Sequence, residues 1–560
     1  IGSIYNVGFD VWSDVMAKVM AFIIMALSLA DRALAESEGA ESDEINGLNL
    51  GIAVMLLGSI GFMMATFYMV NHSDKDLRVM TWKVICATIS IFVSVLIYQA
   101  FDDAIKAMFL EGASSIAKMQ VAFLHSFVWF LLLQLLLATV SRAISWPCQN
   151  AAEDTPDDQR ELDLKCWAVI LGHITGFASI SAWSQLQAHL SGSVLILPIA
   201  FFALWALFRV TDIIREWVSL ADDGVKDKME EAWDEATEET EDDVMALTLS
   251  FLVVQTIRFW IYGVLPDEEG NLEDSTLKPS LPQAFFALSI GIGIAMFSYF
   301  RTVYGSSNHS RYSIWLRLVS DFSSCWLIMF SIDRIMTLAN LGGGQYGVLG
   351  NVITACFLTF LSFTVMYFLD KEADKVEESM DLEGKETPQN VTALHGRKKV
   401  AMRATVLAIG VLIGFAWEKC FDVAVNETAE KEAQAGIVPP SLVKVALALM
   451  LATLVVPAWR WYILPVVREL GGFDEEGEED EEKGEEKDKE GYMPPILPED
   501  LYRELESWKL KAAKLEAEKE SLERQVKSLQ QLQSSALPKT RPKAASPKAG
   551  GSSSPKRFGR

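Results

Sequence analysis

Apolar runs of about 20 residues, separated by strongly polar connectors, recur along the whole chain and constrain its fold more than any other feature. About 20 helical residues at ~1.5 Å each cross a hydrocarbon layer ~30 Å thick, so each such run reads as a membrane span. The runs fall roughly at 11–31, 48–70, 82–105, 119–141, 165–188, 193–215, 244–264, 283–302, 312–335, 347–369, 401–424 and 442–465. Asp14 and Lys18 interrupt the first and leave it the weakest. Unpaired backbone groups are too costly in lipid for anything but a helix or a closed barrel. The runs lack the polar/apolar alternation of barrel strands, so the expectation is an all-α integral membrane protein of about twelve spans.

Composition supports that reading. The mean hydropathy is +0.22 although 74 acidic and 49 basic residues are present, so charge and apolar residues are segregated along the chain. No nucleic-acid partner is expected. The six cysteines show no metal-ligand spacing and read as small buried hydrophobes. The chain opens with Ile1, which reads as a fragment without its natural start, so no leader can be judged.

Lysine and arginine set the expected orientation. Connectors after even-numbered runs carry about 20 basic residues, among them Lys75, Arg78, Arg142, Arg209, Arg215, Arg301, Arg311 and Lys398. Those after odd-numbered runs carry about 8. The basic side is expected to be cytosolic, with both termini inside and Asn426-Glu-Thr offered outside as a glycan acceptor.

The chain also resembles itself. Asp14-Val-Met-Ala recurs as Asp243-Val-Met-Ala, Tyr68 as Tyr299, Gly176-Phe-Ala as Gly414-Phe-Ala, and Ile213-Ile-Arg-Glu-Trp as Val466-Val-Arg-Glu-Leu, in the same order. The reading is a duplication: one six-helix half at 1–217, an acidic linker at 218–243 and a second half at 244–470. Six spans per half would make the halves parallel, related by an axis along the membrane normal. In architecture alone this is similar to the major facilitator transporters and the otopetrin proton channels. The connector Asn71–Arg78 lacks the glycines of the major facilitator signature, and no otopetrin motif is matched. A weaker pattern, Phe-Asp-x-Ala, ends the third run (Phe101 to Ala104) and the eleventh (Phe421 to Ala424). A helix-end habit and a functional motif both account for it.

Ionisable residues inside spans mark candidate pathways. Glu418, Lys419 and Asp422 cluster in the eleventh run, where Glu418 and Asp422 share a helical face. Asp102 and Asp103 in the third run and Asp333 in the ninth sit at similar depth. His173 and His125 could relay protons or simply bridge helices. Arg258 has no partner assignable from sequence. The acidic connectors 36–44 and 267–274 could attract cations to an outer mouth; solvated loop charge is the favoured account of them.

No phosphate loop, dinucleotide fingerprint, zinc motif or nucleophile elbow is present, so neither enzyme chemistry nor a cofactor is expected. An acidic spacer (471–498), a heptad-patterned helix (499–533, its seam running from Leu501 to Leu529) and a basic tail (534–560) follow the membrane part. The heptads predict a cytosolic coiled coil and a homo-oligomer. Function is expected to be a channel or secondary transporter for an inorganic cation or protons. The alternative is a non-transporting membrane scaffold or sensor that anchors the coiled coil.

Overall fold

The computed structural model describes residues 43–72, 74–144, 157–221, 224–272, 280–304, 311–338, 348–383, 389–434 and 439–470. The first expected span, the coiled coil and the basic tail lie outside these. The described residues are helical, with no strand among them. In chain order the helices are α1 (Asp43–Val70), α2 (Lys75–Phe109), α3 (Ser115–Val140), α4 (Asp157–His189), α5 (Ile196–Ser219) and α6 (Lys228–Tyr262). There follow α7 (Leu281–Tyr304), α8 (Arg311–Leu338), α9 (Val348–Glu383), α10 (Gln389–Gln434), α11 (Pro440–Ala458) and, after a π-helical turn at Trp459–Ile463, α12 (Leu464–Glu469).

Among the described residues ten helices are long and apolar enough to cross a membrane, which makes a multi-pass helical membrane protein the consistent reading. Several outrun the expected spans: α6 has 35 residues and α10 has 46, carrying charged turns beyond the apolar stretch. Local chemistry sets their ends. Ser114 caps α3 by accepting from the Ala117 N–H, and Asp227 with Glu230 forms a reciprocal capping box on α6. Gly263, at φ 75°, closes α6 in the left-handed conformation that glycine adopts without strain.

Five helices form a closed inner ring: α2 packs on α4, α4 on α6, α6 on α8, α8 on α10, and α10 returns to α2. These are alternate members of the chain. The intervening helices lie outside, with α3 on α4, α5 on α6, α7 on α8, α9 on α10 and α11 on α2, while α1 covers α9. Burial follows the sorting. The apolar stretches of α4, α6 and α10 are largely buried, while α5, α7 and α11 leave Phe202, Trp217, Phe286, Phe297, Met450 and Leu454 exposed, as a lipid-facing surface requires.

The ring seams close on small residues, the usual device where helices must approach without a hydrophobic drive from water. A Cβ at Gly176 of α4 would lie 2.6 Å from Leu247 of α6, and one at Gly414 of α10 would lie 2.9 Å from Ile91 of α2. Each glycine belongs to one copy of the Gly-Phe-Ala motif. The phenylalanines that follow, Phe177 and Phe415, meet edge-to-face at 6.1 Å. Trp326 stacks on Phe415 at 3.9 Å, and Phe251 meets Trp326 at 5.4 Å. Four of the five ring helices thus contribute to an aromatic layer that fills the ring.

Candidate functional site: a charged cavity in the helix ring

Above the aromatic layer, toward the carboxyl ends of the ring helices, lies a cavity of about 430 Å³. All five ring helices reach it, through Asp102 of α2, Ser181 of α4, Phe251 of α6, Trp326 of α8 and Glu418 of α10, for example. The connector after α6 supplies a further wall, Asp267 to Leu272 without Gly270. Seven carboxylates and three lysines line the space.

The connector is held down from several sides. Glu268 accepts from Lys106, from Ser181 Oγ at 2.9 Å and from Gln185 Nε2 at 2.6 Å. Gln255 donates to the Asp267 carbonyl at 2.7 Å, and Arg258 donates to the Gly270 carbonyl at 2.8 Å. Gly270 has φ 83° and sits so close to Phe330 that a Cβ would lie 2.4 Å from its ring. The connector at 267–269 is therefore docked through its backbone and Glu268, while Asp267 and Glu269 stay solvent-exposed where they line the cavity. Its backbone polar groups find partners within the ring, so the segment packs inward and its carboxylates face the cavity.

The candidates named from sequence divide into three groups. Glu418, Lys419, Asp422, Asp102 and Asp103 line the cavity. Asp333 and His125 stand behind it as partners: Lys419 reaches Asp333 at 3.1 Å, and His125 Nδ1 lies 3.4 Å from Asp102. His125 also accepts from Trp129 Nε1 at 2.8 Å and lies against Tyr98. Arg258 acts from beneath the connector, over the face of Phe330 at 4.2 Å. His173 is apart from these. It is buried on α4 one turn below Phe177, and its Nδ1 has no hydrogen-bond partner among the described residues.

The lysines are spoken for. Lys106 pairs with Asp102 at 2.9 Å and with Glu268, Lys444 pairs with Asp103, and Lys419 turns to Asp333. Asp422 accepts only a neutral partner, Asn426, at 3.2 Å. Asn426 is thus a helical, cavity-lining residue rather than the loop acceptor that a glycan prefers. Glu269 in the connector has its pKa pushed up to about 7, first by burial and then by the neighbouring charge of Asp422. Glu269, Glu418 and Asp422 remain as a group of carboxylates without a contact ion pair, and Lys106, Lys419 and Lys444 act on them only at longer range. Burial likewise raises Asp267, although backbone N–H groups of Asn271 and Glu269 offset part of the effect.

A second charged assembly lies at the opposite end of the ring. Glu241 of α6 is fully buried and accepts from Arg215 at 2.8 Å, Gln134 at 2.9 Å, Thr211 at 2.8 Å and Arg311 at 3.2 Å. Arg215 also holds Asp234, and Arg311 holds Asp242 at 2.6 Å. These residues join α3, α5, α6 and α8. In the sequence Arg215 and Arg311 read only as connector charge; the signal for more was the density of carboxylates between 234 and 242.

Comparison of this chain with family models, with curated proteins and with solved structures finds no match.

Proposed function

We propose that this chain is a membrane transporter or gated channel for a cation or protons, and that the ring cavity is where the cation is held. The observation that carries the reading is the surplus of carboxylates over lysines in a partly open cavity walled mainly by the five ring helices inside an apolar bundle. Uncompensated carboxylates are expensive there and attract positive charge. The aromatic layer of Phe177, Trp326 and Phe415 closes the ring below. A carrier or a gated path fits that closure better than a permanently open pore. The buried Arg215–Glu241–Arg311 assembly would hold the far end shut in this state.

The wider architecture is part of the proposal. Twelve spans in two parallel six-helix halves would explain why both Gly-Phe-Ala motifs reach the centre of the ring, and why α3 packs on α4 as α9 packs on α10. The bias of basic residues would turn the cavity outward, with both termini cytosolic and the heptads of 499–533 joining subunits. A second reading, a ligand-binding sensor anchoring the coiled coil, is favoured by one observation: directly beneath the cavity Phe177, Trp326 and Phe415 pack against one another and plug the ring. Cation flux into liposomes containing the purified chain separates the two readings. Flux lost in Glu418→Gln supports transport; no flux in any gradient supports the sensor.

A further inference from the structure

We infer that the cavity takes a small organic ammonium ion bearing an oxygen substituent, held between the connector Asp267–Leu272 and α10. The inference deepens the cation reading above and rests on the same cavity.

Three features of the walls point to that class. The first is charge: Glu269 on the connector and Glu418 with Asp422 on α10 face one space, and the three cavity lysines are each engaged by another carboxylate. An ammonium group supplies the missing positive charge and several N–H donors. Among the described residues, no three carboxylate, histidine or cysteine side chains converge closely enough to chelate a metal ion. The carboxylates are spread around a larger occupant.

The second feature is size and surface. A volume of about 430 Å³ falls within the range of ~300–1,000 Å³ typical of small-molecule sites, far beyond the needs of a bare ion. Between the charges the lining is apolar and aromatic, with Phe177, Phe251, Trp326 and Phe330 as the bed and Val95 and Leu272 beside it. An apolar bed with carboxylates to one side suits a molecule with a hydrocarbon body and a cationic end.

The third feature is unsatisfied polarity. Trp326 is 6% exposed and lines the cavity, yet its indole N–H has no acceptor among the described residues. Gln99, also in the lining, has a buried amide oxygen without a donor. Buried polar groups of this kind ordinarily find partners. Neither atom is open to the cavity surface in this state, so a rotamer shift on binding would present Trp326 Nε1 to an oxygen on the ligand and Gln99 Oε1 to an ammonium N–H.

Tyramine is a suitable probe: it carries a primary ammonium, an aromatic body and a hydroxyl. Binding to the purified full-length chain in detergent is measured by calorimetry, beside phenethylamine, 4-ethylphenol, NaCl and KCl at matched ionic strength. The expected result is saturable tyramine binding that weakens at least tenfold in Glu418→Gln and in Glu269→Gln. 4-Ethylphenol should bind at least tenfold more weakly, and Trp326→Phe should weaken tyramine more than phenethylamine. Glu269 lies in a connector, so its variant keeps the test open if Glu418→Gln does not fold. Equal binding of 4-ethylphenol, affinity unchanged in both carboxylate variants, or no saturable binding of tyramine would overturn the inference. Tyramine binding without flux would leave it standing and remove the transport reading. Alkali-cation flux through Glu418 without tyramine binding would do the reverse.

Discussion

Lys106 of α2 and Glu268 of the connector after α6 form an ion pair across 162 positions of sequence, and that pair fastens the connector to the helix ring. Lys106 is partly exposed, so the pair should be worth less than a fully buried one, roughly 1–2 kcal/mol. Lys106→Met and Glu268→Gln should each speed amide hydrogen exchange across 266–272. The double variant should add little to either single change, because both remove one interaction. Additive effects would show that Ser181 and Gln185 hold Glu268 without Lys106.

Gly270 gives a steric test of the same docking. Alanine there meets two obstacles: a left-handed backbone that costs ~1–2 kcal/mol for an L-residue, and the Phe330 ring in the space its Cβ would fill. Gly270→Ala should free the connector and raise its proteolysis. Adding Phe330→Leu should recover part of the loss by relieving the contact, although the backbone cost remains. Limited proteolysis of the three proteins reads this directly.

The Glu241 assembly should matter more for stability than any cavity residue. Its side chain is fully buried and Arg215 is 2% exposed, so removing one partner leaves the other charge stranded. Glu241→Ala should cost roughly 3–5 kcal/mol, visible as a fall in melting temperature and yield. Glu241→Gln should cost less, since an amide oxygen still accepts from Gln134 and Thr211.

Glu269 predicts a pH dependence of defined sign. Its pKa of about 7 in the fold exceeds the ordinary value of ~4.3, so the folded protein binds the proton more tightly than the unfolded chain. Its contribution to stability is therefore largest at low pH and falls as pH rises from about 4.3 to about 7. The groups around it are Asp267 and Glu268 on the connector, Asp422 and Glu418 on α10, and Lys106 on α2. Glu269→Gln should raise the melting temperature at pH 8 by roughly 1–2 °C and by less at pH 5. A difference that does not change with pH would place the titration elsewhere.

The helices were legible because lipid leaves the backbone few choices, and runs such as 119–141 or 283–302 can hardly be anything else. Glu418 and Asp422 stood out for the same reason: charge inside an apolar run is conspicuous. The Phe-Asp-x-Ala pattern also gains meaning in the structure, since Asp102 and Asp422 both reach the cavity. What sequence did not reveal is which helices neighbour one another. Alternate helices close the ring, and nothing in the apolar runs distinguishes inner from outer members except small residues such as Gly176 and Gly414. Connector 267–272 was opaque because an acidic loop looks the same whether it is solvated or docked. Its docking depends on Lys106, Ser181 and Arg258, which are remote in the chain.

The most direct test is flux across liposomes containing the full chain, under imposed gradients of protons, K⁺, Na⁺ and tyramine in turn. Saturable movement of at least one of these cations is expected, reduced at least tenfold by Glu418→Gln with Asp422→Asn while the protein remains folded and inserted. No movement under any gradient, or movement indifferent to that double change, would contradict the assignment of the ring cavity as the transport site.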